Sequence, residues 1–466
     1  MLEPIFEDFK KYFLGYLLDL HYAHARMLAQ QAIISRDEEA QITGALGGLD
    51  LNKILATRYD GTYEDLFFYI ESLLEQAIGV DVAGKLHTAR SRNDIAITLY
   101  RMMVRRELLT LASSLGGLRS VVLALAGEHL DTVMPAHTHT QPAQPTTLAH
   151  YLLAAAEFMG RDLERIEAAF RGVNLCPMGA CAITTTGFPI DRDLTASLLG
   201  FEGLAENSYG AIAAIDYVTS SAAAVAVSMV NLGKFTQDLL LWSTREFGFL
   251  RLSDAFVQSS SIMPQKRNPV PLEHVRVLAS RALGEAQAVL TTAHNTPFGD
   301  INDSEDDLQP LVSTMFHDAA RALKLLSGAL RSAGVDRPRL LDRARHDFMT
   351  VTELADTLVR IEKMSFREAH HLVAQAVAAC GTNDSAAAMA DAVLRLHPKL
   401  KLTREDIKRA LDPRHFVEIR NIRGGPSPAA AAEALARAAA HQADVEKWLA
   451  AKLERVDSVA PQLRSR

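Results

Sequence analysis

Apolar residues along this chain recur at spacings of three and four. In 271–293, PLEHVRVLASRALGEAQAVLTTA, they fall at Leu272, Val275, Ala279, Ala282, Ala286 and Val289, which paints one face of a helix. Pro271 suits a first helical position. Residues 212–245 carry a broad apolar face and no proline, and 146–171 has the same character. So does 94–130, with an interruption expected at Gly116-Gly117. No run alternates convincingly with period two, and VVLALA at 121–126 belongs to the helix around it. The pattern predicts an all-α chain. Some apolar faces are wider than one chain can cover, and the small-residue stretch SSAAAVAVS lets helices approach closely, which suits an oligomeric bundle. Breaks are expected at 79–85, 131–145, 172–190, 258–269, 295–310 and 423–428. The alanine-rich tail from Pro428 reads as a surface helix, and no repeat of fixed period is present.

Composition narrows the class. The 466 residues are 48% hydrophobic, enough for a substantial core. With 49 Lys+Arg against 56 Asp+Glu the net charge is −7, which argues against nucleic acid or an anionic membrane as partner. Cys176, Cys181 and Cys380 are too few and too scattered for a disulfide framework or a zinc cluster. The opening stretch MLEPIFEDFKKYFLGYLLDL carries charges throughout and no cleavage pattern follows, so no signal peptide is expected. No uncharged apolar run reaches the roughly 18 residues of a membrane span. A cytoplasmic protein of a reducing compartment is expected.

Four polar islands interrupt the helices. HTARSRND, 87–94, opens a helix with Ser91, Arg92 and Asn93: a hydroxyl, a guanidinium and an amide suited to anchoring a carboxylate. The same residues also make an ordinary capped helix start. In AHTHTQPAQP, 136–145, His139 is a candidate acid or base and Thr138 a carboxylate donor. His137 and His139 resemble half of a metal site, but such a site ordinarily projects from a strand and has a third ligand, so no metal is expected. In QSSSIMPQKRNP, 258–269, Ser260 and Ser261 precede Lys266 by five or six residues, and prolines keep the segment from becoming helix. A loop of this kind folds a serine back beside a cation, where an ammonium and backbone N–H groups stabilise its alkoxide. Glu273 follows in the first turn of the next helix. It either complements the positive helix end, worth up to about 1 kcal/mol, or pairs with His139 and helps it hold a proton. The acidic run NTPFGDINDSEDDLQP, 295–310, has the composition of a solvated face.

HTARSRND, THTQ, SSSIMPQKRNP and LDPRHFVEIRNIRGGPSP (411–428) together resemble the argininosuccinate lyase branch of the fumarase/aspartase superfamily, in order and over nearly the whole chain, 12–435. The resemblance implies a three-domain, all-α fold: an N-terminal domain 1–90, a central long-helix bundle 91–345 with the loop, and a C-terminal domain 346–466. It implies a homotetramer whose active sites each draw on three chains. It implies cleavage of a C–N bond in a succinyl-amine with release of fumarate, without metal or organic cofactor. By matching position, Ser260 looks like the base that removes the proton beside a carboxylate. Lys266 and Asn268, with Ser261 and Met263 of the same loop, look like the groups that hold that carboxylate. His139, paired with Glu273, would give the leaving nitrogen its proton. Ser91, Asn93, Thr138 and Gln141 look like further succinyl ligands, with Arg92 facing the other half of the substrate.

Departures from the pattern concentrate on the leaving-amine side. Ser259 stands for the usual glycine, Phe67 for a histidine, His21 for a serine, and Ala214-Ile215-Asp216 for Asp-Arg-Asp. Asp300, Glu305 and Leu308 stand for tyrosine, glutamine and lysine. Asp300 and Glu305 are thus candidate ligands for a cationic amine. Argininosuccinate is the first expectation for the substrate, and another N-substituted aspartate, such as an aminopolycarboxylate, the second. Two readings of other classes are a crystallin-like scaffold without activity and a metal-dependent hydrolase built on His137 and His139. The presence of Ser260, Lys266, His139 and Glu273 together argues against the scaffold.

Overall fold

The structure, a computed structural model, describes residues 2–304 and 307–465. Its centre is a bundle of long helices. After α1 (Leu14–Gln30), α2 (Arg92–Glu128) is the longest, 37 residues, or about 55 Å at 1.5 Å per residue. α3 (Leu148–Val173), α4 (Asp216–Trp242), α5 (Val270–Ala293) and α6 (Gln309–Arg331) complete the bundle, and α7 (Pro428–Asp457) lies along α2 and α3. Ser91, Thr147 and Ser427 cap three of these helices through backbone N–H groups, where each hydroxyl satisfies a donor the helix leaves orphaned.

The expected interruption at Gly116-Gly117 is absent, because packing outweighs weak local propensity. Gln442 of α7 donates to the Gly116 carbonyl at 3.2 Å, and Arg119 Nη1 donates to Gln442 Oε1 at 2.7 Å. The tail is therefore more than a surface helix. Its Gln442 is buried and Trp448 meets the edge of Phe170 at 5.6 Å.

Leu108, Leu111, Leu115, Leu118, Leu163, Ile166, Met315 and Leu326 are among the residues of the main core. That core draws on the N-terminal segment from Phe6 onward and on Ala431, Val456, Val459 and Leu463 near the end. A second core, with Leu354, Leu358, Val373, Met389, Val393 and Ile407, belongs to 354–411. By length and composition α2 and α4 also qualify as membrane spans, but 61% and 50% of their apolar windows are buried inside the chain.

One element departs from the all-helical reading. Residues of the second polar island form an antiparallel hairpin, β1 (Val133–Thr138) and β2 (Gln141–Thr147). Its three prolines, Pro135, Pro142 and Pro145, made a strand unexpected, yet in a two-stranded ribbon every strand is an edge and tolerates them. Three further ladders are only two residues per strand, one of them inside the 258–269 loop.

The bundle sorts the polar islands to its two ends. At one end, the start of α2 meets the segment between α5 and α6, where Asn93 Nδ2 donates to Asp300 Oδ2. At the other, Leu125 and His129 of the α2 end, Met134, Leu148, Trp242 and Leu330 line a common cavity.

Candidate active site

The start of α2 is built around Asp94. Ser91 Oγ accepts the Asn93 N–H at 3.4 Å and donates to Asn93 Oδ1 at 3.0 Å. Asp94 Oδ1 accepts the Ser91 N–H at 2.9 Å, while Oδ2 accepts the N–H groups of Gly179 at 2.9 Å and Cys181 at 3.0 Å. One buried carboxylate thus ties the helix start to the 179–181 turn. Burial pushes its pKa up to about 6, against the opposing pull of the three N–H groups and Arg90; the three N–H bonds favour its charged form. Asp94 was not among the expected site residues, although Ser-x-x-Asp before an apolar run is a legible capping signal.

Above this support lies a cleft of about 440 Å³ lined in part by Asp65, Phe67, His87, Ser91, Asn93 and Asp300. Arg92 sits on the rim, 3.0 Å from Glu64, 2.9 Å from Asp65, and over the Phe68 ring at 5.2 Å. Glu305 lies outside the described residues. Leu308 is buried.

Beside the cleft, Arg90 is buried together with His21 and His24. Arg90 Nη1 donates to His21 Nδ1 at 2.9 Å, and Arg90 faces the Phe67 ring at 5.7 Å. His24 Nε2 lies 2.9 Å from the Thr88 carbonyl, to which it donates, since a carbonyl only accepts. His21 has no exposed surface. Burial first, and Arg90 second, push the pKa of His21 well down and that of His24 down to about 3.

Both imidazoles are therefore neutral in the folded chain. Unfolded, they take up protons near pH 6.5. Their stabilising contribution is complete above that pH and is lost as pH falls through the window down to the folded values. Two such groups give a slope of about 2.7 kcal/mol per pH unit at most. Denaturation midpoints between pH 7 and 5 are expected to drop steeply, and the drop should be shallower in His24→Gln.

At the opposite end, His139 and Thr140 form the hairpin tip, with φ of +50° and +63°. Two consecutive left-handed residues match a two-residue turn of the primed type, which normally takes Asn-Gly. Holding His and Thr there costs on the order of 1–3 kcal/mol each, strain of a kind that concentrates at functional sites. Thr138 pairs with Gln141 directly below the tip, and all four residues are exposed. The hairpin base is clamped through His150, whose ring nitrogens reach Thr146 Oγ1 at 2.8 Å and the Gly424 carbonyl at 3.0 Å. Thr147 donates to the Pro426 carbonyl at 3.2 Å. The 411–428 motif therefore supports the hairpin.

The 258–269 loop is a small open hairpin. Gln258 pairs with Asn268 and Ser259 with Arg267, and Lys266 N–H donates to the Met263 carbonyl at 3.0 Å. Ser260 Oγ accepts the N–H groups of Ile262 at 3.3 Å and Met263 at 3.0 Å. Ile262 is 82% exposed, which leaves the loop crest open to solvent. Ser261 and Lys266 are exposed as well. Glu273 occupies the first turn of α5. Among the described residues no hydrogen bond or ion pair joins it to His139, and none joins the loop to the start of α2. Among the described residues, no group of three or more His, Cys, Asp and Glu side chains is placed to hold a metal ion.

The length of α2 explains the separation. Ser91 and Asn93 stand at its start and His139 just beyond its end, so about 50 Å lies between them within one chain. The profile of the Lyase family matches residues 29–284 and that of the argininosuccinate lyase C-terminal region residues 348–418. Argininosuccinate lyase 2 of Agrobacterium fabrum is 42% identical over 444 residues, 94% of this chain and 88% of that relative.

The chain belongs to the argininosuccinate lyase family.

Other members of the family are similarly close: argininosuccinate lyase of Methanoculleus marisnigri is 41% identical over 88% of this chain and 84% of its own length. Among solved structures, EDDS lyase in complex with formate superposes with a TM-score of 0.89 at 33% identity, covering 98% of this chain and 91% of that one. A class II fumarase from Schistosoma mansoni, at 15% identity, shares the fold with a TM-score of 0.71, over 89% of this chain and 91% of its own. The all-α fold is that of the fumarase/aspartase lyases.

Proposed function

We propose that this family member cleaves argininosuccinate to arginine and fumarate by β-elimination. The observation that carries the reading is the environment of Ser260: its Oγ accepts two backbone N–H groups within a loop that also bears Lys266. Those donors stabilise an alkoxide, the form a serine base needs. Ser260 takes the proton beside a succinyl carboxylate, which gathers charge, and Lys266 and Asn268 hold that charge. The electron pair of the broken C–H bond becomes the second bond of the fumarate C=C as the C–N bond breaks. The departing nitrogen keeps the C–N pair and takes a proton from His139, with Glu273 as that histidine's partner in the assembled site. Ser91, Asn93, Thr138 and Gln141 hold the succinyl half. Cations that meet charge developing in the reaction stabilise the intermediate more than the bound substrate.

The distance along α2 supports a shared site: copies packed side by side and antiparallel would bring the α2 start of one beside the hairpin and loop of others. A homotetramer with composite sites, in the cytoplasm, is part of this proposal. A second reading, elimination from another N-substituted aspartate, is favoured by the rewritten cleft, where Phe67 and Asp300 replace the family's usual residues and His21 is buried. Absorbance of fumarate distinguishes the two. Release from argininosuccinate supports the first reading; release only from other succinyl-amines selects the second. Activity that disappears with chelator would point to the metal hydrolase instead.

A further inference from the structure

At the start of α2 a hydrogen bond joins two residues that the proposed chemistry uses for different halves of the substrate. Asn93 Nδ2 donates to Asp300 Oδ2. In the lyase reading, on which this inference rests, that amide serves a succinyl carboxylate. One of the two N–H groups on Asn93 Nδ2 is given to Asp300, and a second carboxylate brought to the same amide nitrogen is repelled by the first. The nearby cations offer little relief. Arg92 is engaged by Glu64 and Asp65, and Arg90 is buried against Phe67 with Glu71 at 3.6 Å. The anchoring of the 295–300 segment leaves the Asp300 side chain room to move. Tyr209 stacks on Phe298 at 5.8 Å and donates to its carbonyl at 3.1 Å, while Asp300 itself is exposed.

We infer that Asp300 is a specificity gate: its carboxylate competes with the substrate's for Asn93, and yields when the leaving amine carries a cation. An ammonium or guanidinium on the leaving half draws Asp300 away and frees Asn93 for the succinyl carboxylate. A neutral or anionic leaving group does neither and meets an uncompensated carboxylate. Discrimination of this sort comes from a repulsive element as much as from an attractive one.

The test compares wild type, Asp300→Ala and Asp300→Asn for turnover of argininosuccinate and for binding of fumarate alone. In Asp300→Ala, kcat/KM for argininosuccinate is expected to fall about tenfold, mostly through KM, because the cation loses its partner. Fumarate, which carries no cation, is expected to bind roughly threefold tighter or better because Asn93 is released. Asp300→Asn retains an acceptor for Asn93 without the charge, so it shares the first effect and lacks most of the second. Opposite movements in Asp300→Ala sustain the gate. Movement of both in one direction, or of neither, overturns it, since a merely structural residue would weaken both together. If wild type releases fumarate from no succinyl-amine, the lyase reading itself fails and takes the gate with it.

Discussion

Ser260→Ala is expected to lower kcat for fumarate release by about a thousandfold, with KM nearly unchanged. Removing a positioned general base typically costs 10²- to 10⁴-fold. Ser260 accepts N–H bonds from Ile262 and Met263, which alanine leaves facing solvent on an exposed crest, so folding should be preserved. Steady-state rates from fumarate absorbance measure the loss. A variant that keeps most of its activity would remove Ser260 from the mechanism, whereas a wild type that releases no fumarate would support the inactive-scaffold reading. The same variant also tests composite sites. Mixed and reassembled with Asn93→Ala chains, it should recover a fraction of the wild-type rate, because some sites would draw Ser260 and Asn93 from intact copies. No recovery would mean that one chain supplies both.

Asp94→Ala is expected to cost about 3 kcal/mol or more of stability and most of the activity together. The substitution leaves three N–H groups, of Ser91, Gly179 and Cys181, without their acceptor. Each unsatisfied buried donor costs about 1–3 kcal/mol, partly offset because a buried carboxylate no longer has to be desolvated. Gly179 compounds the effect. It has φ +89° and packs so tightly that a Cβ would lie 2.7 Å from Arg192 Cγ, which leaves the turn few other arrangements. Denaturant midpoints and fumarate release would be measured side by side. Asp94→Asn, with one acceptor oxygen, should fall between. An alanine variant as stable as wild type would show that the helix start needs no such anchor.

Much of the candidate chemistry was legible because it is local. The loop's serines, Lys266 and prolines, the Ser-x-x-Asp start of α2 and the His139 island all announce themselves within a dozen residues. Asp94 was visible as a capping residue, yet its bonds to Gly179 and Cys181 are contacts across more than eighty positions. No periodicity encodes them. The hairpin was missed because Pro135, Pro142 and Pro145 argue against strands; the clamp from Gly424 and Pro426 that supports it is nearly three hundred residues away.

By itself the sequence determined the helices, since a repeat of three and four requires one buried face wherever the chain goes, and it determined the inventory of reactive side chains. The tertiary structure decided that α2 runs unbroken through Gly116-Gly117, because Gln442 holds that stretch. It decided that His21 is buried against Arg90 while Asp300 stands at Asn93. It also placed the motifs at opposite ends of the bundle. Side-chain identity and local propensity are written residue by residue. The distance between two motifs depends on how rigid helices of a given length pack, and that is a property of the whole chain.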